Sequence, residues 1–388
     1  MTQPLLRKGR PHARYRYFAP VSAGLEPVLL AEVQALGLES PRQVPGGVAF
    51  EGPLEACYRA NLWLRTASRV LRVVAEFDCP DQATLYRETY KVEWEKLMEP
   101  HQTLAVRVSL GRAGPGMTHS QFLALRVKDA VVDRFRHTYG KRPSVDRERP
   151  DLAVHAYLDQ NRCVLSLDSS GWPLFMRGYR QGAGAAPLKE TLAAGLIGLA
   201  GWRADRPFYD FLCGTGTLAI EAALLAGNRA PGLLREGFGF QRWPDFHPGA
   251  WNALLAEARA AARPIEVPIV AGDGDAAMVG AARANARRAG VEDGIRFIVR
   301  EAAAFQAEAG PGLVLINPPY GERLGEQESL KPLYKTLGDV LKQHAKGMEA
   351  YIFTAQSELI KAIGLRASRR QILYNGPLEC RLLRYALY

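Results

Sequence analysis

Residues 210–217 read DFLCGTGT, and they stand between an apolar segment typical of a strand, 207–211, and a helix expected to begin near Leu218. Glycine at the carboxyl end of a strand lets the backbone turn tightly and approach a ligand, because no Cβ is in the way. A lone Gly-x-Gly occurs in many α/β folds, so its meaning depends on the segments around it. We expect a ligand-binding turn formed by Asp210, Cys213, Gly214, Thr215, Gly216 and Thr217.

Strands and helices alternate on the carboxyl side of this turn. The apolar segments IEVPIVAGD, IRFIVRE, LVLINPPY and AYIFTAQ are separated by segments with helical spacing, such as AMVGAARANARRAG. Such alternation predicts a parallel sheet with helices on both faces. The fold class expected for residues 188–388 is therefore α/β, a doubly wound, mostly parallel, Rossmann-like sheet.

The strand after the glycine turn ends in two carboxylates, Asp273 and Asp275. A carboxylate at this position can accept hydrogen bonds from both ribose hydroxyls of an adenosyl ligand; alternatively, the two residues only cap the helix that begins near Ala276. A dinucleotide site would have a third glycine and an acid one strand–helix unit later, whereas here the third glycine is missing and the carboxylates come roughly 60 residues on. Since Asp210 can instead reach a cationic amino group, the pattern favours S-adenosylmethionine over a nicotinamide cofactor.

The most specific motif is Asn317, Pro318, Pro319 and Tyr320, directly after the apolar strand LVLI. The prolines stiffen the turn, and the Asn317 side-chain oxygen and the Pro318 carbonyl offer two acceptors to one planar amino group. These bonds would orient the nitrogen toward a sulfonium methyl group, and Tyr320 would offer a face on which an extruded base stacks. Asn317 would act as a positioner rather than as a base. The alternative is a proline-rich turn that merely ends a strand.

The segments before the Gly-rich stretch 178–187 indicate an α+β region whose strands pair locally. They include a helix over 54–70, a basic amphipathic helix over 121–135, and a β-hairpin formed by 153–160 and 162–168. The formal net charge of +10 modestly favours a polyanionic partner. Six cations on or beside the basic helix could follow an RNA phosphate backbone, although each alone is also typical of a solvated face: Arg126, Lys128, Arg134, Arg136, Lys141 and Arg142.

Composition excludes several classes of protein. No apolar run reaches the roughly 18 residues that a transmembrane helix needs, and the basic amino terminus is not followed by the apolar segment of a secretory signal. The five cysteines and seven histidines follow no metal-ligand spacing, so we expect no bound metal and no disulfide framework. We expect a soluble cytoplasmic protein.

Long stretches in one order resemble a known family over essentially the entire chain. They are GLEPVLLAEVQALG, VKDAVVD, VDRERPDL, RGYRQGAGAAPLKETLAA, DFLCGTGTLAIEAALLAGNRAPGL, FGFQRW, NPPYGERLG and NGPLEC. The chain resembles the bacterial guanine-N2 methyltransferases of 23S ribosomal RNA that carry a THUMP domain, the RlmL type. The resemblance implies a ferredoxin-like region (1–65), a THUMP RNA-binding domain (66–170), a linker (171–187) and a class I S-adenosylmethionine-dependent methyltransferase domain (188–388), without the second methyltransferase module of some relatives.

The resemblance also implies roles for individual residues. Asp210, Cys213, Gly214 and Gly216 match the first cofactor motif of the family, Asp273 its ribose-binding acid, and residues 317–320 its catalytic tetrapeptide. Lys189, Glu190 and Thr191 match a stretch that lines the cofactor. Glu301 stands where the family usually has an aspartate that contacts the adenine amine.

Alternatives remain open at this point. The tetrapeptide does not separate guanine from adenine, so an adenine-amine or a transfer-RNA guanine-N2 methyltransferase is the first rival. A non-catalytic RNA-binding or ribosome-assembly protein that keeps only the fold is the second. The resemblance favours ribosomal RNA as partner, free or in an assembling particle, and we expect a monomer.

Overall fold

The computed structural model describes residues 13–113, 117–180, 188–321, 326–355 and 357–388. Most of the basic amino-terminal lead, residues 114–116 before the basic helix and residues 181–187 of the expected linker lie outside the described residues. Within those ranges the strands form an amino-terminal and a carboxyl-terminal sheet. None of the described helices combines the length and apolar character that a bilayer crossing needs.

The amino-terminal sheet continues across what the sequence divides into two regions. Its strands are β1 (Tyr15–Pro20), β2 (Glu39–Val44), β3 (Gly47–Gly52), β4 (Leu71–Asp78), β5 (Thr103–Ala113), β6 (Ser144–Val145), β7 (Leu152–Gln160) and β8 (Arg162–Asp168). The accompanying helices are α1 (Glu26–Ala35), α2 (Leu54–Trp63), α3 (Gln82–Lys91) and α4 (Ser120–Tyr139). In the order β2-β3-β1-β4-β8-β7-β5-β6, β4 pairs with both β1 and β8 and so joins the two regions.

Two local expectations for this half were wrong. The hairpin of β7 and β8 is present, but β5 pairs with β7 in parallel, because α4 crosses over between them. The helix expected over 54–70 ends at Trp63, where Leu64 turns to an extended ψ of 122°. The N–H groups of Arg65 and Thr66 then donate to Glu32 Oε2 at 3.0 and 3.2 Å, so a tertiary contact replaces the next helical turn.

The carboxyl-terminal sheet has the expected α/β architecture. Its strands are β9 (Phe208–Asp210), β10 (Ile269–Asp273), β11 (Arg296–Val299), β12 (Leu313–Ile316), β13 (Glu349–Thr354), β14 (Arg369–Asn375) and β15 (Leu378–Ala386). Its helices are α5 (Glu190–Leu199), α6 (Thr217–Ala226), α7 (Pro248–Ala260), α8 (Ala276–Arg288), α9 (Glu326–His344) and α10 (Ser357–Ala362). Short 3-10 segments lie at Trp94–Lys96, Pro231–Leu234, Gly239–Arg242, Glu292–Gly294 and Ala302–Ala304.

The strand order β11-β10-β9-β12-β13-β15-β14 places β9 between β10 and β12. Strands β9 to β13 run parallel, and β15 and β14 close the edge in antiparallel orientation. The chain therefore leaves β9 toward one side of the sheet and returns to β12 on the other. Ligands of open α/β sheets bind at such a switch point, beyond the carboxyl ends of the strands.

The two halves share a continuous core. A Cβ on Gly198 of α5 would stand 2.7 Å from Val28 Cγ1 of α1, so glycine allows these helices to approach closely. Arg177 and Glu221 lie fully buried at the junction with Nε and Oε1 3.6 Å apart, and the Tyr179 hydroxyl donates to the same carboxylate at 3.2 Å. Because removing one half would expose this network, tests of function require the full chain.

Candidate active site

The glycine turn stands at the carboxyl end of β9, the middle strand of the switch point. Gly214 and Gly216 adopt left-handed conformations with φ of 51° and 85°, and Gly216 precedes the first residue of α6. The turn is fastened to its neighbours because the Cys213 N–H donates to the Gly272 carbonyl at 2.8 Å and Asn285 Nδ2 donates to the Thr215 carbonyl at 3.0 Å. The sequence predicted this strand, turn and helix at the right residues.

The two glycines differ in what surrounds them, which yields a matched pair of variants. A Cβ at Gly216 would lie 2.9 Å from the Ala282 Cβ, whereas a Cβ at Gly214 would meet no described atom within 4 Å. Left-handed backbone costs an alanine about 1–2 kcal/mol at either position, and overpacking adds about 1–3 kcal/mol at Gly216 alone. We expect Gly216→Ala to lower the free energy of unfolding more than Gly214→Ala, as measured by urea denaturation. Equal losses would contradict this account of the turn.

Asp210 is the carboxylate nearest the turn in sequence, and it is buried at the end of β9. It is 1% exposed, and its Oδ1 has no hydrogen-bond partner among the described residues. Burial raises the pKa of the Asp210 carboxyl well above its ordinary value, and the Asp273 carboxylate raises it further. A buried oxygen without a partner is costly, so the site fits a ligand that brings a donor, above all a cationic one.

Asp273 and Asp275 have different tasks at the end of β10. Asp273 Oδ2 accepts from the Gly214 N–H at 2.9 Å and its Oδ1 accepts from the Asp275 N–H at 3.0 Å, so this carboxylate joins the second strand end to the glycine turn. Asp275 is the N-cap of α8, with Oδ1 accepting from the Ala277 N–H at 2.7 Å. The capping alternative therefore accounts for Asp275, whereas Asp273 faces the turn.

Glu301 follows β11 on the far side of β10. A Cβ on Gly274 would stand 2.7–2.8 Å from the Glu301 carboxylate atoms, so only glycine lets this side chain lie over the loop after β10. Asp210, Asp273 and Glu301 thus follow three adjacent parallel strands, β9, β10 and β11. An elongated ligand laid across these strand ends would meet the three carboxylates in turn.

The residues before α5 support the glycine turn from behind. Arg180 donates from Nη2 to the Thr217 hydroxyl at 2.8 Å and to the Leu188 carbonyl at 3.0 Å, and its Nε lies 3.3 Å from Glu190 Oε1. Burial raises the pKa of Glu190 to about 6, although the Arg180 charge opposes the rise. Thr191 is buried, and the Lys189 ammonium lies over the Phe175 ring at 5.2 Å. Thr217 and Glu190 therefore hold the turn through Arg180, which sequence reasoning missed.

The Asn-Pro-Pro-Tyr turn follows β12, the neighbour of β9 on the opposite side from β10. Parallel pairing sets Leu313 beside Phe208 and Val314 beside Tyr209, and continuing that register sets Asn317 beside the glycine turn. Asn317 is half-buried, and the Pro319 carbonyl accepts from the Tyr334 hydroxyl at 3.1 Å, which fixes the turn to α9. The structure thus brings the two sequence motifs to one edge of the sheet.

Tyr320 is oriented differently from the sequence-based expectation. Its side chain is 8% exposed, its ring meets Phe353 edge-on with centroids 6.4 Å apart, and its hydroxyl donates to Asn317 Oδ1. In this arrangement the Tyr320 ring does not present a face on which a base could stack. The Asn317 oxygen keeps a second lone pair, since an amide carbonyl can accept two hydrogen bonds.

The cations of the basic helix are largely engaged within the protein. Arg126 lies over the Tyr86 ring, and three others have acidic partners at 2.5–3.2 Å, the pairs being Lys128–Asp129, Arg134–Glu95 and Arg136–Asp133. Lys141 and Arg142 lie exposed beyond the end of α4. Surface pairs of this kind cost little to break. Asp129 and Asp133 belong to α4 itself, and Glu95 from the preceding 3-10 segment lowers the positive charge of this face further.

Comparison with known families agrees with this architecture. A model described as the RMKL-like methyltransferase domain matches residues 177–384. A model of the RlmL ferredoxin-like domain matches residues 16–71, and a THUMP domain model matches residues 81–168. The resemblance and the fold class inferred from the sequence are therefore confirmed.

Individual relatives cover nearly all of this chain. A Synechocystis sp. protein provisionally named an RNA methyltransferase is 43% identical over 373 residues, which are 96% of this chain and 97% of that protein. The ribosomal RNA large subunit methyltransferase K/L of Syntrophotalea carbinolica is 45% identical over 384 residues, 96% of this chain and 54% of its own length. This chain thus spans about half the length of the K/L relatives.

Among solved structures, SMU.472, provisionally described as a methyltransferase and crystallised with SAH, is 30% identical. It superposes with a TM-score of 0.83 and covers 97% of this chain and 98% of that one. With the glycine turn and the Asn-Pro-Pro-Tyr turn side by side at the edge of a class I sheet, the chain belongs to the RMKL-like methyltransferase family, and an RlmL ferredoxin-like domain and a THUMP domain precede its RMKL-like methyltransferase domain.

Proposed function

We propose that the chain transfers a methyl group from S-adenosylmethionine to the exocyclic N2 of a guanine in 23S ribosomal RNA, in the cytoplasm where ribosomes assemble. One observation carries the proposal: at the ends of two adjacent parallel strands stand Asp210, a buried carboxylate whose Oδ1 lacks a partner among the described residues, and Asn317, an amide acceptor. The first fits a cationic cofactor and the second fits a planar amino group.

The residues at the strand ends fit S-adenosylmethionine in order. Asp210 would accept from its ammonium group, the open space at Gly214 would let the backbone approach it, and Asp273 and Glu301 would face the ribose and the adenine. When bound, the cofactor supplies a methyl group already activated by the sulfonium charge. A carboxylate hydrogen bond to a cation contributes about 1.5–3 kcal/mol, so Asp210 would account for much of the affinity.

The second motif would hold the nucleobase. The Asn317 oxygen and the Pro318 carbonyl accept from the two N–H bonds of the amino group, which aligns the nitrogen lone pair with the methyl group. Methyl transfer would break the S–CH3 bond as the N–CH3 bond forms, and the bonding electrons would remain on sulfur as a neutral thioether. The surplus proton on the methylated nitrogen would pass to water. Since Tyr320 bonds to the Asn317 oxygen, it would set the rotamer of Asn317 rather than stack on the base.

The class of substrate is indicated by the amino-terminal domains and the relatives rather than by the residues at the strand ends. The THUMP match and the net charge favour RNA, and the names of the K/L relatives favour the large ribosomal subunit. The choice of guanine N2 rests on the motif resemblance described above, because the two acceptors at Asn317 suit either guanine or adenine.

A methyl-transfer assay tests the proposal directly. The full-length chain is incubated with S-adenosylmethionine labelled in the methyl group and with 23S or transfer RNA from a strain lacking the gene, and the RNA is digested to nucleosides for mass spectrometry. We expect labelled N2-methylguanosine from 23S RNA alone. Labelled N6-methyladenosine would refute the assignment of the base, label in transfer RNA would refute the substrate, and no label in any RNA would refute enzymatic activity.

A further inference from the structure

A large cavity lies between the two halves of the molecule, apart from the carboxylates at the strand ends. Its volume is about 1510 Å³, and its walls come from the segment after β8, the start of α5, the segment 234–242 and the turn 375–378 between β14 and β15. A cavity of this size exceeds what most small ligands occupy, since typical small-molecule pockets measure about 300–1,000 Å³.

The cavity adjoins the glycine turn and the carboxyl edge of the sheet. Arg180, Lys189 and Glu190 form part of its wall, and Arg180 also bonds to Thr217 in the glycine turn. The opposite wall, the turn 375–378, lies at the carboxyl edge because β15 starts there and runs antiparallel to β13. The cavity therefore leads to the end of the sheet where Asn317 stands.

Trp172 stands at the rim of this cavity with 43% of its surface exposed. The loop that carries it is fixed from within: the Arg235 guanidinium donates to the carbonyls of Ser170, Trp172, Pro173 and Met176 at 2.8–3.1 Å. Because four hydrogen bonds fix the loop, the exposed indole ring is a preformed stacking surface. Little conformational entropy is lost when a base stacks on it.

The charge of the lining is unbalanced. Among the described residues, six cationic side chains and two acidic ones line the cavity. Arg180 pairs with Glu190 and the buried Arg177 pairs with Glu221, so four cations remain against one acid, Glu236. Arg149 is exposed at the rim. Arg242 is half-exposed, with its Nη2 donating to the Pro150 carbonyl and its Nε 3.8 Å from Asp151 Oδ1. Such a surface attracts a polyanion.

The same rim continues onto the amino-terminal sheet. A smaller cleft shares Trp172, Arg149 and Arg242 with the cavity and is otherwise lined by residues such as Ala105 and Arg107 of β5. These two residues alternate along β5 and therefore lie on one face of the sheet, in the region matched by the THUMP model. Arg107, Arg149 and Arg242 thus lie along a route from the sheet face past Trp172 to the end of the sheet that carries Asn317. The same cleft also holds three acids, of which Asp168 pairs with Arg69: Glu148, Asp151 and Asp168.

We infer that this groove, defined by Arg107, Arg149, Trp172, Lys189 and Arg242, holds an unpaired segment of the RNA substrate, with one base stacked on Trp172 and the phosphates following the cations. The inference rests on the proposed function and adds the path by which the RNA reaches the active site. It assigns RNA binding to the groove, where the exposed Trp172 and Arg149 stand together at the rim, rather than to the face of α4.

Binding of a fluorescent single-stranded RNA 12-mer to the full chain tests the groove without any methyl transfer. We expect Trp172→Ala to raise Kd roughly 5- to 100-fold, the effect of losing one stacked base. We expect Arg149→Gln to reduce the slope of log Kd against log salt concentration by about the value for one phosphate contact. The matched controls are Tyr139→Ala, an exposed aromatic on α4, and Arg203→Gln, an exposed arginine of the catalytic domain; neither should change Kd.

Cross-linking of a 4-thiouridine version of the same RNA locates the contact independently. Cross-links in peptides containing residues 170–180 or 375–378 support the groove. The groove is refuted if cross-links occur only in α4 and residues 141–142 and if Trp172→Ala and Arg149→Gln bind RNA like the unmodified chain. This holds even if the enzyme methylates RNA. Binding in the groove without methyl transfer would support the groove and refute the proposed function instead, whereas failure to bind any RNA would refute both.

Discussion

Asn317→Ala should reduce methyl transfer about 100- to 1,000-fold, the usual effect of removing one hydrogen-bonding group that acts in the transition state. The loss is expected in kcat, because the Asn317 oxygen aligns the amino nitrogen in the proposed mechanism and the cofactor lies against other strand ends. The affinity for S-adenosylhomocysteine should stay within about twofold by titration calorimetry, since no cofactor contact is assigned to this side chain.

Two further variants separate positioning from a general structural effect. Asn317→Asp keeps acceptor oxygens at the same place and should retain more activity than Asn317→Ala. Asn252→Ala changes an exposed asparagine on α7 and should leave the rate unchanged. Near-normal turnover by Asn317→Ala would refute the role assigned to the Asn-Pro-Pro-Tyr turn.

Asp210→Asn should move cofactor affinity and protein stability in opposite directions. Loss of the carboxylate charge opposite the cofactor ammonium group weakens S-adenosylhomocysteine binding roughly 10- to 100-fold, corresponding to a charged hydrogen bond. The same change removes a buried carboxyl group that is costly to ionise and whose Oδ1 has no partner among the described residues. The cofactor-free protein should therefore gain on the order of 1–2 kcal/mol in free energy of unfolding at neutral pH. Calorimetry and urea denaturation measure the two effects.

The gain in stability should depend on pH with a definite sign. Because burial raises the pKa of Asp210 above its value in the unfolded chain, the folded state keeps the proton more tightly, and the stability contributed by this group is lost as pH rises toward the folded pKa. The advantage of Asp210→Asn should therefore be larger at pH 8 than at pH 5 and vanish below about pH 4. Asp205→Asn changes an exposed aspartate in the segment before β9 and should show neither effect. A variant that weakens binding and also destabilises the free protein would contradict the cofactor role of Asp210.

The carboxyl-terminal half was predictable because its turns and strands are specified by residues that are close together in the sequence. The glycines at 214 and 216 and the prolines at 318 and 319 impose turns wherever they stand, and apolar strands before each turn predict the sheet edge at which they meet. Parallel pairing then brings Asp210, Asp273 and Asn317 together without further information. Glu221 interrupts an otherwise apolar helix because its carboxylate is the buried partner of Arg177 and Tyr179.

What the sequence did not predict depends on tertiary partners. Helix α2 ends early because Glu32 accepts hydrogen bonds from the N–H groups of Arg65 and Thr66. The partners in this contact are more than 30 residues apart in the sequence. The positive charge of α4 is offset by acids such as Glu95, which comes from a different segment. Trp172 lies in a non-repetitive loop whose conformation is set by Arg235, over 60 residues away, so no periodicity marked it as a binding residue.

Methyl transfer by this chain requires that a cofactor held by Asp210 lies within reach of a base held by Asn317. A crystal structure of the full chain with S-adenosylhomocysteine tests this most directly. We expect the ligand across the ends of β9 and β10, with its amino group about 2.7–3.2 Å from Asp210 Oδ1 and its sulfur directed at the Asn317 side chain. Density for the ligand elsewhere on the protein, or a sulfur turned away from Asn317, would contradict the account.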